Sequence, residues 1–227
     1  MTDTVENRII HHVLDAIADQ KLRAGTKLGE QELVAIFDCN RAQIRRALAM
    51  LTGYGVIELV RNRGAFVAIP SETESRQVFE ARRAIEATIC RNAVAHADAA
   101  DLARMRAHLD EEARAAAGLA SRAQVLRLSR RFHLLLAELG RNRVLAKYLE
   151  ELTLRSALIL GCYGSGRAQL CASTEHQDIV AAIAQGDADL ACRLLEGHLR
   201  HLEEAVEYGR RPAAGNALAS IFDGPSD

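Results

Sequence analysis

The apolar positions of this chain keep a helical period to about Thr52, a two-residue period to about Val67, and a helical period again from Glu72 to Tyr208. In the first segment Val5, Ile9, Ile10, Val13, Leu14 and Ile17 recur at three- and four-residue spacing, one stripe of a helix from Thr4 to Gln20. His11 and His12 lie beside or off that stripe, toward solvent. Ala24-Gly25 marks a turn, and Leu28 to Phe37 (LGEQELVAIF) predicts a second short helix with Leu28, Leu33 and Phe37 turned inward. After the tight turn Asp38-Cys39-Asn40, a third helix runs from about Arg41 to Thr52, capped by Asn40 and burying Ile44, Ala47, Leu48 and Leu51. Gly53 and Gly55 end it. Val56 to Val60 and Ala65 to Val67 then read as two strands around the turn Asn62-Arg63-Gly64.

Ile69-Pro70-Ser71 breaks the pattern, because Pro continues neither strand nor helix comfortably and Ser can cap the next helix. Beyond it the periodicity predicts helices near 73–97, 99–118, 121–139, 142–162, 168–185 and 187–208. The breaks fall at Gly140, from Gly164 to Gly166, and at Gly186-Asp187. Helices joined by such short connections can surround a cavity. The expected fold is mainly α: a winged helix-turn-helix with a small β-wing, followed by an all-α helical bundle. The expected division is 1–69 for the first domain, 70–76 for a linker, 77–210 for the second domain and 211–227 for a mobile tail.

Composition changes this picture little. Trp is absent, aromatics are 4% and there are three Pro, so helices rich in Ala, Leu and Arg meet few breakers. No apolar run approaches the roughly 18 residues that span a bilayer. The N-terminus has no basic segment followed by an apolar core, so a cytoplasmic protein is expected. The five cysteines are odd in number, scattered and without a CxxC pair, which predicts small buried residues and not disulfides or a zinc ribbon.

Charge changes the picture more. A net charge of −1 argues against a wholly basic nucleic-acid binder but leaves room for a local patch. Between Asn40 and Ala68 there is one: Arg41, Arg45, Arg46, Arg61 and Arg63 are opposed only by Glu58. Arg41 and Arg45 are four apart and share a helix face. Such a helix fits the DNA major groove, where Arg pairs bidentately with guanine or grips phosphate. Arg61 and Arg63 on the wing reach the backbone or the minor groove.

In the second half, histidines stand at apolar positions. His176 shares a stripe with Ile179, Val180 and Ile183; His198 shares one with Ala191, Leu194, Leu195 and Leu202; His133 follows Phe132, one turn after Ser129. Three inward imidazoles on separate helices could converge on a divalent metal, or each could be a satisfied core histidine. A three-His metal enzyme lacks a well-placed general base, since Glu175 is expected to project away from the histidines.

Leu28-x-Glu30-x-x-Leu33, Arg41-x-x-x-Arg45-x-Ala47-Leu48-x-x-Leu51, Gly55 and Asn62-Arg63-Gly64-Ala65-Phe66-Val67 resemble the winged helix of GntR-type transcriptional regulators, over nearly all of residues 5–68. The resemblance implies that Arg41 and Arg45 read bases and phosphates and that Gly64 is the wing tip. Where the family usually has Ser, Pro and an acid, this chain has Asn40, Gln43 and Arg46. The extra arginine bears on which operator is read, not on whether DNA is bound.

Ser129-Arg130-Arg131-Phe132-His133, Glu175-His176-x-x-Ile179-x-x-Ala182-Ile183-x-x-Gly186-Asp187 and His198-Leu199 resemble the effector-binding FCD domain of the FadR branch of these regulators, over about 75–205. In that family an Asp and three His surround a metal, often zinc or nickel. The ligands implied here are His133, His176 and His198, with Ser129 in the place of the Asp. Serine is a poor neutral ligand. Either a three-His site persists, completed by water or effector, or the pocket is metal-free. Arg82 matches an arginine that points into the same cavity and can hold a carboxylate; its alternative is a surface ion pair. His201, one turn from His198, is a second-choice ligand, and His96 and His108 match nothing. The implied function is a metabolite-responsive regulator, a repressor that binds a palindromic operator as a homodimer and senses a small organic acid. The alternatives are a constitutive DNA binder and the three-His enzyme.

Overall fold

Each helix of the N-terminal third starts where a side chain or a glycine frees the chain from extended geometry. The computed structural model describes residues 4–118, 120–164, 172–208 and 218–222. Helix α1 (Val5–Ala18) follows Thr4, whose hydroxyl accepts from the Asn7 amide at 3.2 Å. Helix α3 (Arg41–Gly53) follows Asn40, whose Oδ1 accepts from the Gln43 amide at 3.0 Å. Gln43 Oε1 in turn accepts from the Asn40 amide at 3.0 Å. The two departures from the family pattern at these positions therefore compensate each other as one capping box.

One expectation is corrected at α2 (Glu30–Phe37), which starts two residues later than the pattern suggests. Leu28 is not in its first turn but in strand β1 (Lys27–Leu28), paired with Ala65, because Gly29 holds the extended cap position. Strands β2 (Ile57–Val60) and β3 (Gly64–Val67) form the wing hairpin, and the antiparallel sheet order is β1-β3-β2. Its turn needs left-handed backbone at Asn62 (φ 60°) and Gly64 (φ 101°), the residue types that tolerate it best.

The helical half comprises α4 (Glu72–His96), α5 (Ala99–Ala117), α6 (Arg122–Leu139), α7 (Arg143–Tyr163), α8 (Ala172–Ala184) and α9 (Ala188–Glu204). Ser71, Asp98, Ser121, Asn142 and Asp187 each accept a backbone N–H of the helix they precede. Of the expected break from Gly164 to Gly166 only Gly164 lies within the described residues, as does α8 only from Ala172. Cys90 and Cys192 are buried and Cys39 and Cys162 half-buried, all as free thiols; Cys171 lies outside the described residues.

The two halves share a core. Leu154 and Leu158 of α7 pack into the winged-helix cluster of Ile9, Val13, Ile17, Leu33, Ile44 and Leu51. Gly161 makes the approach possible, since a Cβ there would lie 2.8 Å from the Ile17 carbonyl oxygen. Polar contacts flank it: Asp19 Oδ1 accepts from the Ala123 amide at 2.7 Å, and Arg127 pairs with Asp15 at 2.5 Å. The winged domain is thus held by α6 and α7.

The expected mobile tail is corrected in part. Residues 209–217 and 223–227 lie outside the described residues, but Leu218–Phe222 form a short helix, α10. Leu218 and Ile221 are buried in the winged-helix cluster, and Phe222 meets Phe37 with ring centroids 5.4 Å apart. The i, i+3, i+4 spacing of these three residues carried the signal, in a segment too short for periodicity to stand out.

Candidate metal centre and nucleic-acid interface

Helices α6, α8 and α9 bring His133, His176 and His198 to one point, each at 1% exposure or less. Their Nε2 atoms converge, 3.2 Å apart between His176 and His198 and 3.3 Å between His198 and His133. Behind each ring a carboxylate accepts the Nδ1–H: Glu86 from His133 at 2.6 Å, Glu112 from His176 at 2.8 Å, Glu175 from His198 at 2.7 Å. These bonds place the proton on Nδ1 and leave three Nε2 lone pairs facing one another. Lone pairs at that spacing repel unless a cation lies between them. Nitrogen ligands about 2.0–2.1 Å from a tetrahedral ion stand about 3.3–3.4 Å apart. The donor set therefore fits a divalent cation. Phe132 stacks on His176, centroids 3.7 Å apart and planes within 7°, which fixes the plane of that ring.

Electrostatics keep the centre in its ligating form. Burial pushes His133 and His198 down to about 4, against the opposing pull of Glu86 and Glu175, and lowers His176 as well. Burial alone would raise Glu86, but the Arg82 guanidinium and His133 outweigh it and hold it at about 2. Glu112 also sits at about 2, where hydrogen bonds from His108 and His176 outweigh burial. The unfolded imidazoles take up protons from about pH 6.5. Between there and about 4 the unfolded chain holds more protons than the folded one, so stability falls as pH falls. Below about 4.5 the carboxylates add a second loss of the same sign. Metal-free protein is expected to show a melting temperature that drops steadily from about pH 7 to about pH 5. A flat profile over that range would contradict buried neutral imidazoles.

Sequence reasoning missed all three carboxylates as part of the centre. Glu175, expected to project away, is corrected: it reaches from α8 to His198 and also hydrogen-bonds His201. His201, the second-choice ligand, is 54% exposed in its side chain and serves that carboxylate, while His108 serves Glu112. The surface ion pair weighed for Arg82 is corrected too. Its side chain is 3% exposed, with Nε donating to Glu86 Oε1 at 2.7 Å and Nη1 to Ser156 Oγ at 3.0 Å. Its buried Nη2 has no partner among the described residues. Glu86 thus holds Arg82 on one oxygen and His133 on the other. A cavity of about 20 Å³ adjoins this network, lined by Arg82, Ser129, Arg130, His133, Thr153 and Ser156. That is room for about one water.

The arginines of the candidate nucleic-acid interface lie on α3 and the wing. Arg41, Arg45, Arg63 and Gly64 line one groove between α3 and the wing, together with Lys27 and Glu30. Arg63 stacks its guanidinium over Phe66 at 5.2 Å. Arg61 is exposed on the wing turn outside that groove. Arg46 is placed elsewhere: it turns to α1 and pairs with Glu6 at 2.6 Å. Glu30, which charge reading did not single out, pairs with both Arg41 and Arg45.

Among the described residues no helix is long and apolar enough to cross a membrane. Residues 5–67 match the family described as bacterial regulatory proteins, gntR family, and residues 77–201 match the FCD domain. An Escherichia coli protein whose name provisionally ties it to the L-lactate dehydrogenase operon is 29% identical over 99% of this chain and 93% of its own. The E. coli transcriptional repressor RspR is 24% identical over 92% of both chains. Among solved structures, E. coli McbR/YncC superposes with a TM-score of 0.73 at 15% identity, covering 87% of this chain and 94% of its own. The relatives are transcriptional regulators and not enzymes, which removes the three-His enzyme reading. The chain belongs to the GntR family of DNA-binding transcriptional regulators, in the FadR branch whose helical half is an FCD domain.

Proposed function

We propose that this regulator is a cytoplasmic, metabolite-responsive repressor that binds a palindromic operator as a homodimer and senses a small organic acid beside a metal centre. Two copies of α3 on a two-fold axis meet successive major grooves of the same duplex. Arg41 and Arg45 read base edges, Arg61, Arg63 and the Gly64 wing tip hold the backbone or minor groove, and Arg46 reaches phosphate when it leaves Glu6.

The observation that carries the sensing half is the shared Glu86 carboxylate, which joins a guanidinium with a spare N–H to a metal-type imidazole. His133, His176 and His198 would hold a divalent zinc or nickel ion through Nε2. Such an ion supplies an open coordination position for an effector oxygen. Arg82 Nη2 takes the effector carboxylate, and Ser129 offers its hydroxyl one turn from His133. A cavity of about 20 Å³ admits an organic acid only if its walls part. Most of those walls belong to α6 and α7, the helices that hold the winged domain through Asp19, Arg127, Leu154 and Leu158, with Arg82 of α4 and Leu202 of α9 completing them. Opening the cavity therefore shifts the surface on which the DNA-binding half rests.

The test is fluorescence anisotropy on upstream duplex DNA with metal-loaded protein, titrated with small carboxylic acids. The relative tied to an L-lactate dehydrogenase operon makes 2-hydroxy acids the first series to try. An effective acid is expected to weaken DNA binding by about 5- to 150-fold, the usual span of allosteric coupling. Arg82→Ala should remove the response while leaving acid-free DNA affinity in place. If a broad acid panel leaves DNA affinity unchanged with metal bound, the constitutive reading replaces this one.

A further inference from the structure

A carboxylate on a DNA-facing surface repels phosphate, so Glu30 calls for a reason. Its side chain is 29% exposed at the first position of α2, and it lines the groove between α3 and the wing. Oε2 accepts from Arg41 Nε at 2.7 Å, and both oxygens accept from Arg45 Nε at 3.1 Å. One acid thus holds the two arginines assigned to base reading, and holds both by the same atom. The two guanidinium groups in turn keep the Glu30 carboxyl below the usual carboxylate range, so it stays charged in their presence.

We infer that Glu30 is a specificity-determining positioning residue: by holding Nε of Arg41 and Arg45 it leaves only their Nη1–Nη2 ends for base edges. A free arginine can meet guanine side-on, through Nε and one Nη, or end-on, through Nη1 and Nη2. It can also swing to a phosphate. The Glu30 carboxylate closes the side-on route and opposes the swing, because a departing guanidinium strands a negative charge facing the DNA backbone. What remains is the end-on fork, whose two N–H groups match guanine O6 and N7. Fixing two such forks costs overall affinity and raises discrimination, since the interaction lost is the one that any sequence can make. The ion pairs are exposed, so their contribution to folding is small and the residue can be changed without unfolding the domain.

The inference rests on the assignment of Arg41 and Arg45 to base edges, and the experiment separates the two. Duplexes are first selected from a random library by the wild-type protein, and affinity is measured for the selected duplex and for a scrambled one. Glu30→Gln and Glu30→Ala are expected to bind the scrambled duplex more tightly than wild type. Their ratio of selected to scrambled affinity should fall by about tenfold or more. The salt dependence should steepen by up to about 0.9 log units per arginine released to phosphate. Glu30→Asp, which keeps the charge, should retain part of the discrimination. Far-ultraviolet circular dichroism melts should stay at the wild-type temperature. If Glu30 variants keep the wild-type ratio while Arg45→Ala loses it, the inference is wrong and the recognition helix stands. If Arg41→Ala and Arg45→Ala also keep the ratio, the recognition assignment itself fails and the inference falls with it.

Discussion

His176→Ala is expected to abolish stoichiometric uptake of zinc or nickel by tag-free protein, measured by elemental analysis after equilibration and by calorimetric titration. The imidazole is stacked on Phe132, anchored by Glu112 and set with its Nε2 3.2 Å from that of His198, so its loss removes one of the three converging nitrogens. Glu112→Gln should be milder, weakening the metal by about 10- to 100-fold, because it removes the anchor but not the ligand. The opposite change is available at Ser129, buried one turn before His133 and facing the cavity. Ser129→Asp places an anionic oxygen where the family carries one and should tighten metal binding, with the excess showing as slower loss to a chelator. The pair of results matters more than either alone. Loss of uptake in His176→Ala could come from misfolding, whereas a gain in Ser129→Asp requires a metal at that point. If wild type takes up no metal and Ser129→Asp gains none, the centre is a buried histidine cluster held by hydrogen bonds.

Arg41→Ala and Arg45→Ala are each expected to lower affinity for a selected duplex by about 1–3 kcal/mol and to relax specificity at the bases they face. Affinity for scrambled DNA should change far less. Both side chains are more than half exposed and neither is buried in the fold, so the folded state survives the change. Arg61→Ala on the wing should behave differently, weakening all duplexes alike and flattening the salt dependence by about 0.9. Gel-shift or anisotropy across a salt series measures all three. Equal losses on selected and scrambled DNA for Arg45→Ala would move that residue from base reading to phosphate holding.

Helix positions were legible because burial imposes a period on the sequence wherever a helix is longer than about two turns. The stripe of α1 arises from that rule, and the cap at Asn40 and the breaks at Gly140 and Gly186 from equally local backbone chemistry. The inward histidines were legible for the same reason, as polar residues at positions that packing reserves for apolar ones. Short or paired elements were not. Leu28 could open a helix or end a strand, and only Ala65, far along the chain, decided it. Leu218, Ile221 and Phe222 carry a helical spacing in too few residues to stand out.

Residue types, periods and caps thus determined a winged helix followed by a helical bundle, a basic patch on the third helix and the wing, and three imidazoles pointing inward. What the chain could not announce is which acid answers which base. Glu86, Glu112 and Glu175 lie 47, 64 and 23 residues from the histidines they orient. Glu30 lies 11 and 15 residues from the arginines it holds. A carboxylate has no periodic signature, since the same residue serves a solvated face, a helix cap or a buried partner. Its role is set by what packing brings within about 3 Å of it. The tertiary structure alone therefore chose the tautomer of each imidazole, the shared Glu86 between Arg82 and His133, and the pairing of Arg41 and Arg45 with Glu30.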